Sequence, residues 1–350
     1  MAWFASSDPF VVVAWGAALA TFSLSAALTV QVLRVRRATA LREARRDAFL
    51  AAWRPRLFEA AMGGIPPAPP VAREDLDAFL GLWNDVMDAL DVESRAALGR
   101  VAEGAGADTE ARRRLVRGRP VEQVQALRLL GHLGRPDDFD AVHAHLDDPR
   151  AYLSLTAARA LVRIDPGRAP AAIVPRIARR QDWPASLLVT ALSSAAPAAV
   201  GRELQRACAG APADQLVRLL PLVEVVERGV AEEILFSVLA PDADPEVIAS
   251  VLRHARTPGL VELAREGCLH PSWAVRTQAA NALGRIGTPP DRDRLLALLR
   301  DGQWWVRYRA AQALCAGRFG PPASHAADVM KLADRYARDI FAHVLAEGRV

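Results

Sequence analysis

Ser272-Trp273-Ala274-Val275-Arg276 is followed by Ala279-Ala280-Asn281-Ala282-Leu283, and 31 residues further on Gln303-Trp304-Trp305-Val306-Arg307 is followed by Ala310-Ala311-Gln312-Ala313-Leu314. Trp, Val, Arg, three Ala and Leu recur at one fixed offset, the mark of a unit copied in tandem. A unit this short cannot bury its own apolar face and has to stack on its neighbours. Val306, Ala310, Ala313 and Leu314 fall at i, i+4, i+7 and i+8, one stripe of an α-helix, and Gly317 supplies a stop. A preceding helix is opened by Pro289-Pro290-Asp291, carries Leu295, Leu296, Leu298 and Leu299, and ends before the turn Asp301-Gly302. The unit is predicted to be a pair of helices, its small alanines letting neighbouring helices approach closely.

This pattern resembles HEAT repeats, in particular the shorter bacterial kind also called PBS-lyase HEAT-like repeats, whose second helix begins Asp-x-x-Trp-x-Val-Arg and continues Ala-Ala-x-Ala-Leu. The resemblance is specific over residues 258–318 and stays readable from about residue 121. It implies an all-α fold, a HEAT-like α-solenoid or α–α superhelix. Composition agrees: Ala, Leu and Arg abound and alternation of the β kind is nearly absent. Lys331 is the one lysine, so the basic residues are almost all Arg.

From Pro9 to Leu33 the chain carries no charge. As a helix at about 1.5 Å per residue, that stretch is long enough to cross a hydrocarbon core of roughly 30 Å with some tilt. A cleaved signal peptide carries its positive charge before a shorter apolar core, whereas here no Lys or Arg precedes Arg34. An uncleaved anchor is the expectation. Asp8 on one side and Arg34, Arg36 and Arg37 on the other predict an N-terminus outside and the rest in the cytoplasm. Gly16, Ala20, Ser23 and Ala27 form a line of small residues on this helix, the kind along which membrane helices associate, or simply a product of Ala-rich composition.

The chain therefore divides, by sequence, into an extracytoplasmic N-terminus (1–9), a transmembrane helix (10–33), a basic juxtamembrane helix (34–62), a Pro-rich spacer (63–72), N-terminal capping helices (73–120) and HEAT-like repeats with a C-terminal cap (121–350). Between Arg34 and Arg56 the juxtamembrane helix holds eight Arg against Glu43 and Asp47, with Leu41, Ala48, Phe49, Ala52 and Trp53 as apolar positions and Pro55 as an expected interruption. Arginines beside an anionic leaflet gain about 1 kcal/mol each, so membrane lipid is an expected partner. Gly63-Gly64-Ile65-Pro66-Pro67-Ala68-Pro69-Pro70 reads as a stiff extended boundary between domains. Outside the basic helix the charges nearly balance, which argues against a nucleic-acid partner, since phosphates call for a basic face.

No chemistry is legible. None of the seven His is followed by Glu, so the His-Glu pairs with which HEAT-fold iron hydroxylases hold metal are missing. His143 and His145, two apart on a helix, face different ways. Cys208, Cys268 and Cys315 are far apart and read as small buried apolar residues. The sequence points to no catalytic residue, cofactor, metal or small-molecule substrate. What remains is Trp273 and Arg276 with Trp304, Trp305, Arg307, Tyr308 and Arg309. Trp304 shares a helix face with Arg307 and Tyr308, and Trp305 with Tyr308 and Arg309. Two readings stay open: a partner surface of hot-spot residue types with Arg stacked on Trp, or a ladder in which each Arg caps a neighbour's carbonyls or pairs with Asp.

Taken whole, the anchor, Ala51-Ala52-Trp53-Arg54-Pro55-Arg56-Leu57, Gly81-Leu82-Trp83-Asn84 and Trp304-Trp305-Val306-Arg307-Tyr308 are similar to bacterial membrane-anchored HEAT proteins encoded beside membrane glycosyltransferases. That resemblance implies a non-catalytic scaffold or adaptor for a protein at the inner membrane, accessory to a polysaccharide-synthesising glycosyltransferase. The alternatives are a HEAT-fold enzyme such as a lyase, which requires a deep pocket with clustered His, Asp or Glu, and a membrane-docked sensor of acidic or phosphorylated partners. The scaffold reading expects an open groove without convergent ionisable groups.

Overall fold

The computed structural model describes residues 9–347 apart from 65, 67, 90 and 91, and among the described residues there is no strand. The expected extracytoplasmic segment lies, up to residue 8, outside the described residues. Two compact units divide the chain between Arg117 and Gly118.

The first unit holds α1 (Pro9–Ala61), α2 (Leu76–Ala89), α3 (Val92–Gly104) and α4 (Ala107–Arg117). α1 is a single helix of 53 residues, about 80 Å long. From Phe10 to Ala48 every described side chain is exposed, and an 18-residue window has a mean hydropathy of 1.6, long and apolar enough to cross a membrane. Gly16, Ala20, Ser23 and Ala27 lie on this exposed stretch, and nothing approaches within 4 Å of where a Gly16 Cβ would be.

Two expectations fail here. Pro55 does not interrupt the helix, because Trp53, Leu57 and Ala60 are buried on a stripe packed against α2 and α3. That packing outweighs the one backbone bond the proline cannot make. The Trp53 ring meets Phe79 edge-on at 4.8 Å, and Arg45 forks onto Asp75 and also bonds Glu74. Leu41, Ala48 and Ala52 stay exposed, so the apolar face is narrower than the sequence implies. Nor is the Pro-rich stretch a boundary. Gly63, at φ 87°, ends α1, and the chain then lies along α3, with Pro66 buried, Ala68 against Gly104 and the Val71 N–H donating to Ala105 at 3.2 Å. The Pro66 ring fills space against the helix, while Pro69 and Pro70 stay exposed.

The second unit is a run of helix pairs. Its helices are α5 (Pro120–Leu133), α6 (Phe139–His143), α7 (Ala151–Ile164), α8 (Ala169–Arg179), α9 (Ala185–Leu192), α10 (Pro197–Cys208), α11 (Ala213–Leu219), α12 (Arg228–Ser237), α13 (Pro245–His254), α14 (Val261–Gly267), α15 (Trp273–Ile286), α16 (Arg292–Leu298), α17 (Trp304–Cys315), α18 (Pro322–Met330) and α19 (Arg335–Glu347). The odd-numbered helices form one row: α5 packs on α7 and α7 on α9, α9 meets the 3₁₀ turn that follows α11, and α11, α13, α15, α17 and α19 pack each on the next, with the even-numbered helices beside them. This is the expected HEAT-like solenoid. Val306, Ala310, Ala313 and Leu314 are all buried, as are Val275, Ala279, Ala282 and Leu283 one repeat earlier.

Close approach within the row is visible at two glycines of matching register. A Cβ on Gly131 of α5 would lie 2.7 Å from the Ala160 Cα of α7, and one on Gly284 of α15 would lie 2.9 Å from the Ala313 Cβ of α17. The sequence predicts one helix over 213–226, but α11 stops at Leu219 and a 3₁₀ turn follows over Leu220–Val225. Pro221 is the cause: it lacks the N–H for an α-helical bond and its ring clashes with the preceding turn.

Candidate functional site

Trp273 and Trp304 are the first residues of α15 and α17, each preceded by an extended residue, Ser272 and Gln303. At that position the indole stands outside the buried stripe, which begins two residues later at Val275 and Val306. One turn further on, Arg276 and Arg307 fold back over the loop they have just left. Arg276 Nη1 donates to the carbonyls of His270 and Pro271, both at 2.9 Å. Arg307 Nη1 donates to the Asp301 carbonyl at 2.8 Å. Arg338, another 31 residues along, donates to the Leu332 carbonyl at 2.6 Å.

The remaining nitrogens separate these arginines. Arg276 grips Asp301 of the next repeat with Nε at 2.6 Å and Nη2 at 3.0 Å. Burial alone would push the Asp301 carboxyl up, but the Arg276 fork, the Gln303 N–H and the charges of Arg276 and Arg307 outweigh it and hold the carboxyl below its ordinary range. Thirty-one residues after Asp301 stands Leu332, so Arg307 meets no equivalent carboxylate. Its Nε is buried without a hydrogen bond, and its guanidinium lies 5.7 Å from the Tyr336 ring centre. At an earlier junction of the same row Trp183 Nε1 donates to Ser154 Oγ at 2.9 Å, and the Arg180 guanidinium lies 5.0 Å from the Trp183 ring centre.

Carbonyl capping across repeats is frequent. Arg285 donates to Leu252, Arg253 and Ala255 at the end of α13, and Arg318 donates to Gly287. Burial, with Arg256 and Arg309 nearby, brings the Arg285 guanidinium down to about 10.

Trp304, Trp305 and Tyr308 form one aromatic cluster. Trp304 stacks on Tyr308 at 5.0 Å and 11°, and meets Trp305 edge-on at 4.7 Å. Trp305 and Tyr308 are 6.3 Å apart, at 86°. The Tyr308 hydroxyl donates to Glu347 at 3.1 Å, which raises its pKa. Trp273, Trp304 and Trp305 remain 46, 44 and 51 % exposed. The expected stacking of Arg on these indoles is not found among the described residues: Arg276 is held by Asp301, and Arg309 donates to Gln312 at 2.8 Å. Tyr336, exposed and flanked by Arg335 at 4.8 Å, extends the surface and was missed by the sequence reading. The signal for it was present, since Arg276, Arg307 and Arg338 are evenly spaced and Tyr336 follows Trp305 at the same interval.

Chemically, this surface offers large rigid apolar areas with donor tips, suited to packing against another molecule. Among the described residues no group of three or more His, Cys, Asp or Glu could hold a metal. The expectation that no ionisable groups converge on a hollow is nevertheless not met. A cavity of about 410 Å³ between the 3₁₀ turn at Leu220–Val225, α12 and the end of α13 is lined by Glu224, Glu232 and His254 among others.

The HEAT repeats family matches residues 232–315, from within α12 to the end of α17. Compared with the curated proteins, the sequence has no match. Among solved structures, two engineered proteins from the Northeast Structural Genomics Consortium are similar at 15 % identity each. One covers 79 % of this chain and 85 % of its own with a TM-score of 0.33. The other covers 69 % and 96 % with a TM-score of 0.23. The described residues of the second unit form an all-α solenoid, and the segment from Glu232 to Cys315 matches the HEAT repeats family.

Proposed function

We propose that this protein is a non-catalytic scaffold, anchored in the bacterial inner membrane by the apolar part of α1, that holds a protein partner on the surface made by Trp273, Trp304, Trp305 and Tyr308. The observation that carries this reading is the half-exposed Trp304–Trp305–Tyr308 cluster, which the stacking of repeats does not need: the core of α17 is complete with Val306, Ala310, Ala313 and Leu314. Arg307 completes the surface, whereas Arg276 and Arg309 serve the stack and the helix and contribute little to recognition. In this reading the N-terminus is outside, the repeats are cytoplasmic, and Arg34, Arg36 and Arg37 meet lipid headgroups. Tethering raises the effective concentration of whatever is held. A polysaccharide-synthesising membrane glycosyltransferase, implied by the resemblance of the whole chain, is the first partner to test. Gly16, Ala20, Ser23 and Ala27 offer a second contact, with that partner's membrane helices.

The test places a photo-crosslinking residue at Trp305 and, in a control, at exposed Val121 of α5. Capture in mild detergent should give a membrane-protein adduct at 305 and none at 121, and W304A should reduce the adduct. Equal adducts at both sites, or none at 305, would remove the proposal.

A further inference from the structure

The cavity beside α12 lies where the helix pattern changes. Pro221 turns the end of α11 into a 3₁₀ turn, and Val223 and Glu224 of that turn, with Val226 after it, line a hollow of about 410 Å³. That volume is in the range of small-molecule sites. Val223, Val226 and Leu235 supply apolar lining.

Some of its polar groups are left without partners. His254, the last residue of α13, is 8 % exposed, and its Nδ1 lies 3.1 Å from Glu224 Oε1. A carboxylate only accepts, so Nδ1 carries the proton and Nε2, which makes no hydrogen bond, is an acceptor toward the cavity. Thr257 Oγ1 is buried with no hydrogen bond. Arg228 and Glu232 are one turn apart on α12 yet form no ion pair with each other or with any other described residue. The Glu232 carboxylate rests over Gly259, where a Cβ would come within 1.7 Å of Oε1. Arg256, 3.8 Å from Glu224, adds a second guanidinium at the rim.

A ligand with one charge would satisfy either Arg228 or Glu232 and leave the other facing it. A ligand with both charges on adjacent atoms satisfies both, and its ammonium also supplies the donor that His254 Nε2 lacks. We propose that this cavity binds a small zwitterion of the amino-acid class, its carboxylate toward Arg228, its ammonium toward Glu232 and His254, and its side chain against Leu235 and the two valines. The site is separate from the aromatic surface, and its failure leaves the scaffold reading untouched.

The experiment uses the full chain in mild detergent. The twenty free amino acids are screened by thermal shift. The best binder is then titrated calorimetrically beside its N-acetyl and carboxamide forms, each lacking one charge. At least one amino acid should bind, and blocking either terminus should weaken it about tenfold or more. E232Q and R228Q should do the same, while W304A should change nothing. No binding by any amino acid up to about 10 mM would overturn the proposal. So would equal binding of the blocked forms, or binding indifferent to both E232Q and R228Q.

Discussion

Replacing Asp301 by alanine separates an arginine used for stacking from one used for recognition. Asp301, its side chain 8 % exposed, accepts two bonds from Arg276 and the Gln303 N–H at 2.8 Å. Arg276 keeps its bonds to the His270 and Pro271 carbonyls, so its charge is not stranded. The cost should therefore fall short of the ~3–5 kcal/mol of an orphaned buried ion and exceed the ~1 kcal/mol ceiling of an exposed pair. About 2–3 kcal/mol is expected for D301A, and about half of that for D301N, which retains an acceptor.

Because a solenoid opens repeat by repeat, a global melt dilutes the effect, and hydrogen exchange over 270–286 and 301–315 is the proper assay. Exchange there should quicken by about 30- to 150-fold in D301A, with α5 and α7 unchanged. The pH dependence has a definite sign. A carboxyl held below its ordinary 3.8 contributes stability above that value and loses it as pH falls through the lower folded one. D301A should differ from the parent by a constant amount at neutral pH and converge with it only in acid. Exchange rates within about threefold of the parent at neutral pH would refute the reasoning, since even a loss of ~1 kcal/mol exceeds that.

Three further outcomes follow from the packing. Gly131→Ala should destabilise by about 1–3 kcal/mol by chemical denaturation despite alanine's better helix propensity, because its Cβ would strike Ala160 backbone at 2.7 Å. Gly284→Ala, against a side-chain methyl at 2.9 Å, should cost less. Trp183→Phe keeps most of the volume and loses the bond to Ser154, whose hydroxyl still has the Arg150 and Ala151 carbonyls; about 1–2 kcal/mol is expected in the same assay. Burial pushes the Cys208 and Cys268 thiols up to about 11. Iodoacetamide at pH 8 should therefore label Cys315, the less buried of the three, first, and the other two only after denaturant is added.

Periodicity made the helix pairs legible. Val306, Ala310, Ala313 and Leu314 announce their shared face by spacing alone, since a helix repeats every 3.6 residues whatever surrounds it. The uncharged stretch from Pro9 to Leu33 likewise announces a long apolar helix before any contact is known. The exposed Trp304 and Trp305 were legible too, as residues lying outside that stripe. What each of their neighbouring arginines does was not. Arg276 and Arg307 occupy identical positions in their repeats and differ only in what the next repeat brings, Asp301 in one case and Leu332 in the other.

Pro55 and Pro221 carry the same local penalty, yet α1 runs through one and α11 ends at the other. The stripe of Trp53, Leu57 and Ala60 against α2 and α3 decides the first case. The cavity with Glu232 and His254 lies beside the second. The sequence by itself determined the elements and the faces they bury, because those depend on neighbours a few residues away. Tertiary structure alone decided which charges are satisfied, whether a proline breaks its helix and where a hollow opens, because each depends on atoms brought together from distant parts of the chain.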